Sequence, residues 1–293
     1  MPAKIIYGKE ISAQIRVELK ERVDRLKARG VTPGLGVVLV GEDPASVSYV
    51  TAKAKGAEEI GMFEETIRLL PTSTEEELLA TVDRLNRDPR FNGILVQLPL
   101  PKWVNPDKVI SFISVEKDVD GFHPINVGKL LRGEPCAIPC TPYGVVQMLI
   151  RSGYSPEGKH VVICGRSNLV GKPLAALLVQ KKKGANATVT ICHTGTKDLP
   201  SFTKQADILV AAMGAPRVIT AGMIREGCVV IDVGVNRVPD PASPKGYRLV
   251  GDCDFDGMLK KAEAITPVPG GVGPMTVTML LLNTVEAAER KAN

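Results

Sequence analysis

The chain has 293 residues, of which 44% are hydrophobic and only 4% aromatic, and its formal net charge is +5. This length and apolar content predict a large buried core divided between two medium-sized domains. The weak charge and few aromatic side chains argue against nucleic-acid binding. No apolar run reaches membrane-spanning length or forms a signal peptide. We therefore expect a soluble, cytoplasmic protein with a small anionic ligand and with no nucleic-acid or membrane partner.

The cysteines and histidines offer little for a metal site. The six cysteines are scattered without a C-x-x-C pair, and the three histidines lack metal-ligand spacing. Several cysteines lie in apolar runs typical of strands, so we expect mostly buried thiols in a reducing compartment. We predict no metal.

The first half of the chain alternates between strand-like and helix-like patterns. Apolar side chains recur at helical spacing from Ile11 to Leu26, and Gly30 then stops the helix. The segments that follow are, in order, a buried strand at 35–41, a helix from Asp43-Pro44, strand-like material at 63–70, a helix at 73–86 and a strand at 93–97. This order predicts a parallel sheet covered by helices, hence an α/β fold.

Tyr49 and Lys53 lie four residues apart in the second of these helices. At about 100° per residue they share one stripe, at the boundary between the apolar and charged faces. One interpretation is an amphipathic surface helix in which Lys53 is solvated and its stem lies along Tyr49. The other is a functional pair of ring and amine, which spacing alone does not establish.

A second βα series follows a proline-rich loop. LPLPKWVNPD and KDVDGFHPINVG predict a structured loop leading into a short helix, and HVVIC, ATVTIC, DILVAAMG and CVVIDVGVN predict further strands. The pattern indicates a second, nucleotide-binding type of unit. VPDPASPKGY between later elements predicts an exposed loop.

The turn after HVVIC is a candidate phosphate site. Gly165-Arg166-Ser167 follows a buried strand, and Gly171 opens a helix whose N–H groups could face a phosphate. The run is not G-x-G-x-x-G, so an ordinary βα turn is an equal alternative. The next strand ends at Thr194 rather than at the acidic residue that binds an NAD ribose. With Arg166 nearby, this favours NADP, unless Arg166 merely pairs with a surface carboxylate.

Six motifs in the same order resemble the bifunctional methylenetetrahydrofolate dehydrogenase/methenyltetrahydrofolate cyclohydrolase family. They are YVTAK at 49–53, VQLPLP at 96–101, KDVDGFHPINVG at 117–128, GRSNLVGKP at 165–173, IDVGVNR at 231–237 and TPVPGGVGPMT at 266–276. The likeness covers residues 4 to 288, and the ordered set is far more specific than any single motif.

This resemblance implies the architecture and the activity. It implies a folate-binding catalytic domain at 1–142, a Rossmann-like NADP-binding domain at 143–274, and a C-terminal helix at 275–293 that returns to the first domain. The implied enzyme oxidises 5,10-methylenetetrahydrofolate with NADP and hydrolyses the product to 10-formyltetrahydrofolate, as a homodimer. The alternatives are a dehydrogenase without cyclohydrolase activity and a non-catalytic nucleotide-binding protein.

The resemblance also assigns residues to roles. Lys53 is implied to be the catalytic amine, Gln97 its hydrogen-bonding partner, Tyr49 the ring that stacks on the folate, and Asp120 the carboxylate that binds the pterin. The remaining substrate positions are Val96, Leu98 and Pro274, and the NADP positions are Gly165, Arg166, Ser167, Thr194 and Val235. We expect Asp118 to cap its loop and His123 to be structural rather than a general base.

Overall fold

The computed structural model describes residues 2–292. Its strands are β1 Lys4–Ile5, β2 Gly34–Val40, β3 Phe63–Leu69, β4 Gly93–Val96, β5 His160–Cys164, β6 Thr188–Cys192, β7 Ile208–Ala211, β8 Val229–Asp232, β9 Asn236–Pro239, β10 Tyr247–Val250 and β11 Ala264–Ile265. Its helices are α1 Gly8–Ala28, α2 Pro44–Glu59, α3 Glu75–Arg87, α4 Pro106–Phe112, α5 Pro124–Arg132, α6 Cys140–Arg151, α7 Gly171–Leu178, α8 Leu199–Thr203, α9 Phe255–Met258 and α10 Val272–Ala292, with a 3-10 turn at Ala221–Met223.

The chain divides into two compact units, each built from two segments. One unit comprises residues 13–140 and 277–293, and we call it the lysine unit because it contains Lys53. The other comprises residues 1–12 and 141–276, and we call it the six-stranded unit. The predicted two-domain α/β fold is confirmed.

The lysine unit contains a three-stranded parallel sheet in the order β3-β2-β4. Every residue of β2 and β4 is buried, as expected for a parallel sheet with both faces covered. Helices α2 and α3 start where the sequence predicts them. The Asp43 carboxylate accepts from the Ser46 amide at 2.8 Å to cap α2, and Thr74 and Glu77 form a reciprocal capping box on α3.

The C-terminal helix belongs largely to the lysine unit. The Arg22 guanidinium on α1 forms two hydrogen bonds with the Glu289 carboxylate on α10, at 3.0 and 2.6 Å. The implied return of the last helix to the first domain is confirmed by this contact.

The six-stranded unit is a parallel sheet in the order β1-β11-β8-β7-β5-β6. The sequence-based boundary assigned residues 1–142 to the first domain, whereas Lys4 and Ile5 pair with Ala264 and Ile265 in this sheet. The difference arises because β1 has only two residues, too few to produce a strand pattern.

The exposed loop predicted at VPDPASPKGY is the tip of a β-hairpin. β9 and β10 pair antiparallel, with Asn236 opposite Val250 and Pro239 opposite Tyr247. The prolines and glycine of VPDPASPKGY concealed the ends of both strands. Among residues 2–292, no helix combines the length and the apolar character that crossing a membrane requires.

Candidate functional site

Lys53 is buried in the middle of α2. It is 7% exposed, whereas Tyr49, one turn earlier, is 41% exposed. The Lys53 Nζ donates a hydrogen bond to Gln97 Oε1 at 2.7 Å. The solvated surface lysine considered as an alternative is therefore wrong, and the ring of Tyr49 remains accessible on the same stripe.

Gln97 is positioned by the end of β4. Its backbone N–H continues the sheet by donating to the carbonyl of Val38 at 2.9 Å, and its Nε2 donates to the carbonyl of Leu98 at 2.6 Å. Because the amide nitrogen is engaged there, the amide oxygen faces Lys53. A neutral acceptor holds the amine without the fixed negative charge that would raise its pKa.

Lys53 and Asp120 influence each other's protonation. Burial lowers the pKa of Lys53, and the charge of Asp120 and the nearby Cys140 oppose this effect. Burial raises the pKa of Asp120, while the charge of Lys53 acts in the other direction. A lowered pKa increases the share of neutral amine at a given pH, which favours a group that accepts and returns protons.

Asp118 fixes the loop that carries Asp120. Its Oδ1 accepts from the amides of Gly121 and Phe122 at 3.1 and 3.3 Å. Its Oδ2 accepts from the His123 amide and from the Asn126 side chain, both at 2.8 Å. The expectation of a loop-capping Asp118 is confirmed by these contacts.

His123 caps helix α5. Its Nδ1 accepts a hydrogen bond from the backbone N–H of Ile125 at 3.1 Å, and the residue is 8% exposed. This nitrogen is committed to the helix terminus, which agrees with the expected structural role.

Two residues near Asp120 were missed by sequence reasoning. Cys140 is 2% exposed, and its thiol lies beside Asp120 and 3.6 Å from the carbonyl of Val119; burial and then Asp120 raise its pKa well above the usual range. Asn283 is 1% exposed, and its Nδ2 donates to the carbonyls of Val119 and Ile138 at 2.8 Å each, while its Oδ1 has no partner among residues 2–292. An asparagine inside the apolar run MLLLNTV was a signal for Asn283. No sequence pattern indicated a role for Cys140.

The remaining substrate candidates occupy different surroundings. Val96 is 6% exposed and packs in the core of the lysine unit, whereas Leu98 is half-buried after the strand. Pro274 lies in the first turn of α10 in the six-stranded unit, where its carbonyl is 3.4 Å from Ser12 Oγ.

A cavity of about 480 Å³ opens at the carboxyl ends of β5, β6 and β7. Gly165, Arg166, Ser167 and Thr194 line it together with Met213, and Val235 is not part of its described lining. Strand β5 lies between β6 and β7, so the chain direction across the sheet reverses there. Such a switch point is where open α/β sheets bind nucleotides.

The approach of strand β5 to helix α7 requires two glycines. Gly165 has φ +136°, and a Cβ there would lie 2.1 Å from the carbonyl oxygen of Ala212. A Cβ on Gly171 would lie 2.0 Å from the carbonyl oxygen of Gly165. The Ser167 Oγ accepts from the Val170 amide at 3.0 Å and closes the turn before α7. The turn therefore has the close packing that a phosphate cradle needs.

The residues expected to select the coenzyme are exposed at this cavity. Thr194 follows β6 in a turn that is closed by the hydroxyl of Thr196, which accepts from the His193 amide at 2.8 Å. Arg166 is exposed and forms no ion pair within residues 2–292, so pairing with a surface carboxylate is wrong. A guanidinium without a carboxylate partner fits a 2′-phosphate.

Comparison with known proteins gives consistent matches over the whole chain. Residues 6–120 match a family model described as tetrahydrofolate dehydrogenase/cyclohydrolase, catalytic domain, and residues 139–292 match the NAD(P)-binding domain of the same name. The bifunctional protein FolD of Dehalococcoides mccartyi is 57% identical over 294 residues, which is 100% of this chain and 99% of that protein.

Two solved structures are similar in fold and sequence. The bifunctional enzyme FolD, a methylenetetrahydrofolate dehydrogenase/cyclohydrolase from Campylobacter jejuni, has a TM-score of 0.93 and 46% identity, with 99% of each chain covered. The methylenetetrahydrofolate dehydrogenase-cyclohydrolase of Trypanosoma brucei, complexed with NADP cofactor and an inhibitor, has a TM-score of 0.93 and 40% identity over 99% of each chain.

Proposed function

Because this chain belongs to the tetrahydrofolate dehydrogenase/cyclohydrolase family, we propose that it oxidises 5,10-methylenetetrahydrofolate with NADP and then hydrolyses 5,10-methenyltetrahydrofolate to 10-formyltetrahydrofolate. The observation that carries this proposal is the buried Lys53, hydrogen-bonded to Gln97 and close to Asp120. The lysine unit would bind folate and the six-stranded unit NADP. We propose the domains expected from the sequence, 1–142 with 275–293 for folate and 143–274 for NADP; the two compact units divide near the same positions, apart from residues 1–12.

Asp120 and Tyr49 are proposed to hold the folate. A carboxylate can accept two hydrogen bonds from the aminopyrimidine edge of a pterin, and the exposed Tyr49 ring offers a stacking surface for the aminobenzoate. Leu98, and the backbone of Val96 rather than its buried side chain, would line the same site.

The nucleotide cavity fits NADP. The turn after β5 supplies backbone donors for the pyrophosphate, and Arg166 and Thr194 provide a cation and a hydroxyl with no opposing acidic residue at that strand end. NADP, when bound, accepts the hydride that leaves the methylene carbon. The folate is left with a cationic methenyl carbon.

Lys53 is proposed to move the protons of the hydrolytic step. Water adds to the methenyl carbon, and the neutral amine takes the proton that the water loses. The bond from this carbon to the N5 nitrogen then breaks: the Lys53 ammonium gives its proton to N5, and the hydroxyl proton of the adduct is released to solvent as its C–OH becomes the formyl C=O on N10. Gln97 holds the amine in place through both proton transfers.

Replacing Lys53 by methionine tests the proposal. The variant keeps much of the apolar stem, so cyclohydrolase turnover should fall by at least about two orders of magnitude, with a smaller loss of dehydrogenase turnover. Absorbance of NADPH and of methenyltetrahydrofolate, followed in one cuvette with the spontaneous hydrolysis subtracted, measures both steps. Lys55→Met is the matched control, because Lys55 lies on the same helix and is exposed.

The result separates the possible functions. Accumulation of methenyltetrahydrofolate by Lys53→Met but not by Lys55→Met supports the bifunctional enzyme. A parent protein that makes NADPH without hydrolysing the intermediate is a dehydrogenase alone. A parent that binds NADP and does neither reaction is a non-catalytic nucleotide-binding protein.

We also propose a homodimer in a reducing compartment such as the cytoplasm. The six cysteines are thiols, five of them buried. Light scattering should give twice the chain mass of 31.4 kDa. A mass equal to that of one chain would contradict the dimer.

A further inference from the structure

A second cavity, of about 530 Å³, lies within the lysine unit. Its walls come from the end of α3 and the loop after it, the loop before α5, helix α5 itself, and the last turns of α10. None of Tyr49, Lys53, Gln97 or Asp120 belongs to its lining. The cavity is therefore separate from the proposed folate site, although its volume is in the range of small-molecule pockets.

The lining of this cavity is strongly basic. Lys117, Lys129, Arg290 and Lys291 contribute to it, against one acidic lining residue among those described, Glu116. The Arg290 and Lys291 side chains are exposed, and Lys129 is half-buried. Clustered cations repel one another, and an anion placed between them would relieve the repulsion.

Lys117 anchors the floor of the cavity. Its Nζ donates to the carbonyls of Leu85, Asn86 and Asp88 at 2.9, 2.8 and 2.8 Å. Lys291 Nζ donates to the carbonyl of Pro89 at 3.4 Å, next to the Asp88 carbonyl that Lys117 binds, so the two ammonium groups are near each other; burial and then the charge of Lys291 lower the pKa of Lys117. The donors of Lys117 are in use, so a ligand would be bound by Lys129, by Arg290 and by the donors of Lys291 other than the one given to Pro89.

The deeper wall combines buried amides with apolar surface. Asn126 is 2% exposed and Asn92 is 7% exposed, and both line the cavity beside Phe91 and Ala137. A few polar groups in an otherwise apolar wall are typical of sites for small organic ligands, whereas a surface patch of lysines alone would lack this wall.

We propose that this cavity binds a phosphorylated small molecule and that its occupancy alters folate binding. The phosphate would lie against Lys129, Arg290 and Lys291, and the organic body against the apolar wall. The binding of the phosphorylated molecule does not depend on the proposed reaction, whereas its effect on folate binding rests on the proposed function of Asp120.

A short chain of hydrogen bonds connects the two sites. The Asn126 Nδ2 donates to the carbonyl of Val115 at 3.0 Å and to Asp118 Oδ2 at 2.8 Å. Asp118 in turn holds the amides of Gly121 and His123, which follow Asp120 in the same loop. A ligand that moves Asn126 would move this loop as well.

Calorimetric titration with inorganic pyrophosphate tests the binding step. The protein is first saturated with NADP, so that the other phosphate site is filled, and the salt concentration is kept near 0.15 M to screen weak surface binding. We expect the double variant Lys129→Gln/Arg290→Gln to bind pyrophosphate at least about tenfold more weakly than the parent, since it loses two charged donors.

The matched control is Lys181→Gln/Lys182→Gln. It removes the same charge from an exposed turn of the six-stranded unit. Unchanged affinity in this control supports a specific site. An equal loss in both double variants, or no binding to the parent at millimolar pyrophosphate, overturns the proposal.

Folate affinity tests the connection between the sites. Pyrophosphate should change the dissociation constant of the parent for 5,10-methenyltetrahydrofolate, and the change should vanish in Asn126→Ala while pyrophosphate still binds. A panel of sugar and nucleoside phosphates then tests the contact with the apolar wall. A compound whose organic body fits this wall should bind more tightly than pyrophosphate. If pyrophosphate binds with no effect on folate, the coupling is wrong and the binding site stands.

Discussion

Asp120, which we propose to bind the pterin, also acts on Lys53, because its charge raises the pKa of the amine. Burial lowers the pKa of Lys53, and the carboxylate opposes that effect. Removing the negative charge should therefore lower the pKa further, since the ammonium form loses its nearby counter-charge.

Asp120→Asn should shift the rising limb of the cyclohydrolase pH profile to lower pH. The variant has the same shape and keeps two polar atoms, but its affinity for folate should weaken because the charged acceptor is lost. Turnover measured from pH 6 to 10 at saturating methenyltetrahydrofolate separates the two effects. A limb that stays in place or moves to higher pH would show that Asp120 does not influence the catalytic amine.

Arg166→Ala should reduce the preference for NADP over NAD. The Arg166 guanidinium at the cavity can bind a 2′-phosphate. Thr194 stands where an NAD-binding site has a carboxylate for the ribose, so this position does not favour NAD. We expect the ratio of kcat/KM values for the two coenzymes to fall at least about tenfold. Lys181→Ala, far along the chain on an exposed turn, is the control and should keep the parent's ratio. Equal use of both coenzymes by the parent would contradict the assignment.

Single residues differ in how far the sequence predicts them. The shared stripe of Tyr49 and Lys53 follows from helix geometry, because residues four apart on a helix are neighbours. The meeting of Lys53 with Gln97 followed only from the family resemblance. The contact of Cys140 with Asp120 depends on tertiary packing, because helix α5 and two loops separate these residues in the chain, and no local pattern encodes it.

Among the elements, those with strong start signals or long apolar runs were predicted closely. Helices α2 and α3 begin at the expected caps, and strands β2 and β4 lie within a residue or two of their predicted limits. Strand β1 and the β9–β10 hairpin were missed, because the first is too short for a period and the second contains prolines.

The junction of β5 with α7 should be intolerant of even one added methyl group. In Gly171→Ala the new Cβ would lie 2.0 Å from the carbonyl oxygen of Gly165, so the helix must move away from the strand. We expect NADP affinity to fall by at least about tenfold and the midpoint of thermal unfolding to drop by several degrees. Gly273→Ala, which has open space around the added group, is the control. Unchanged NADP affinity in Gly171→Ala would show that the turn does not cradle the phosphate.

On the scale of the whole molecule, stability should depend on pH through Asp232. This carboxylate is 3% exposed and accepts hydrogen bonds from the amides of Gly234, Asp252 and Cys253 at 3.0, 2.9 and 2.9 Å. Burial raises its pKa from 3.8 to about 6 despite these bonds. The folded state therefore holds this proton more tightly than the unfolded chain, and ionisation favours unfolding.

The contribution of Asp232 to the free energy of unfolding should fall as pH rises from about 4 to about 6, by about 3 kcal/mol in total. Asp232→Asn lacks this ionisation, so its unfolding free energy should fall less than that of the parent over the same range. Urea unfolding at pH 4.5, 5.5 and 7 measures the difference. Parallel curves for parent and variant would contradict the raised pKa.

The pairing of β1 with β11 governs the order in which the protein can be completed on the ribosome. Lys4 is made 260 residues before its partner Ala264, which at about 5–20 residues per second is joined to the chain roughly 13–50 s later. Until then one edge of β8 has no neighbouring strand, because β11 is the strand that pairs with β8 on that edge. An open strand edge can pair with another nascent chain. Translation that stalls before residue 264 should therefore favour aggregation, whereas release of the 293-residue chain should not.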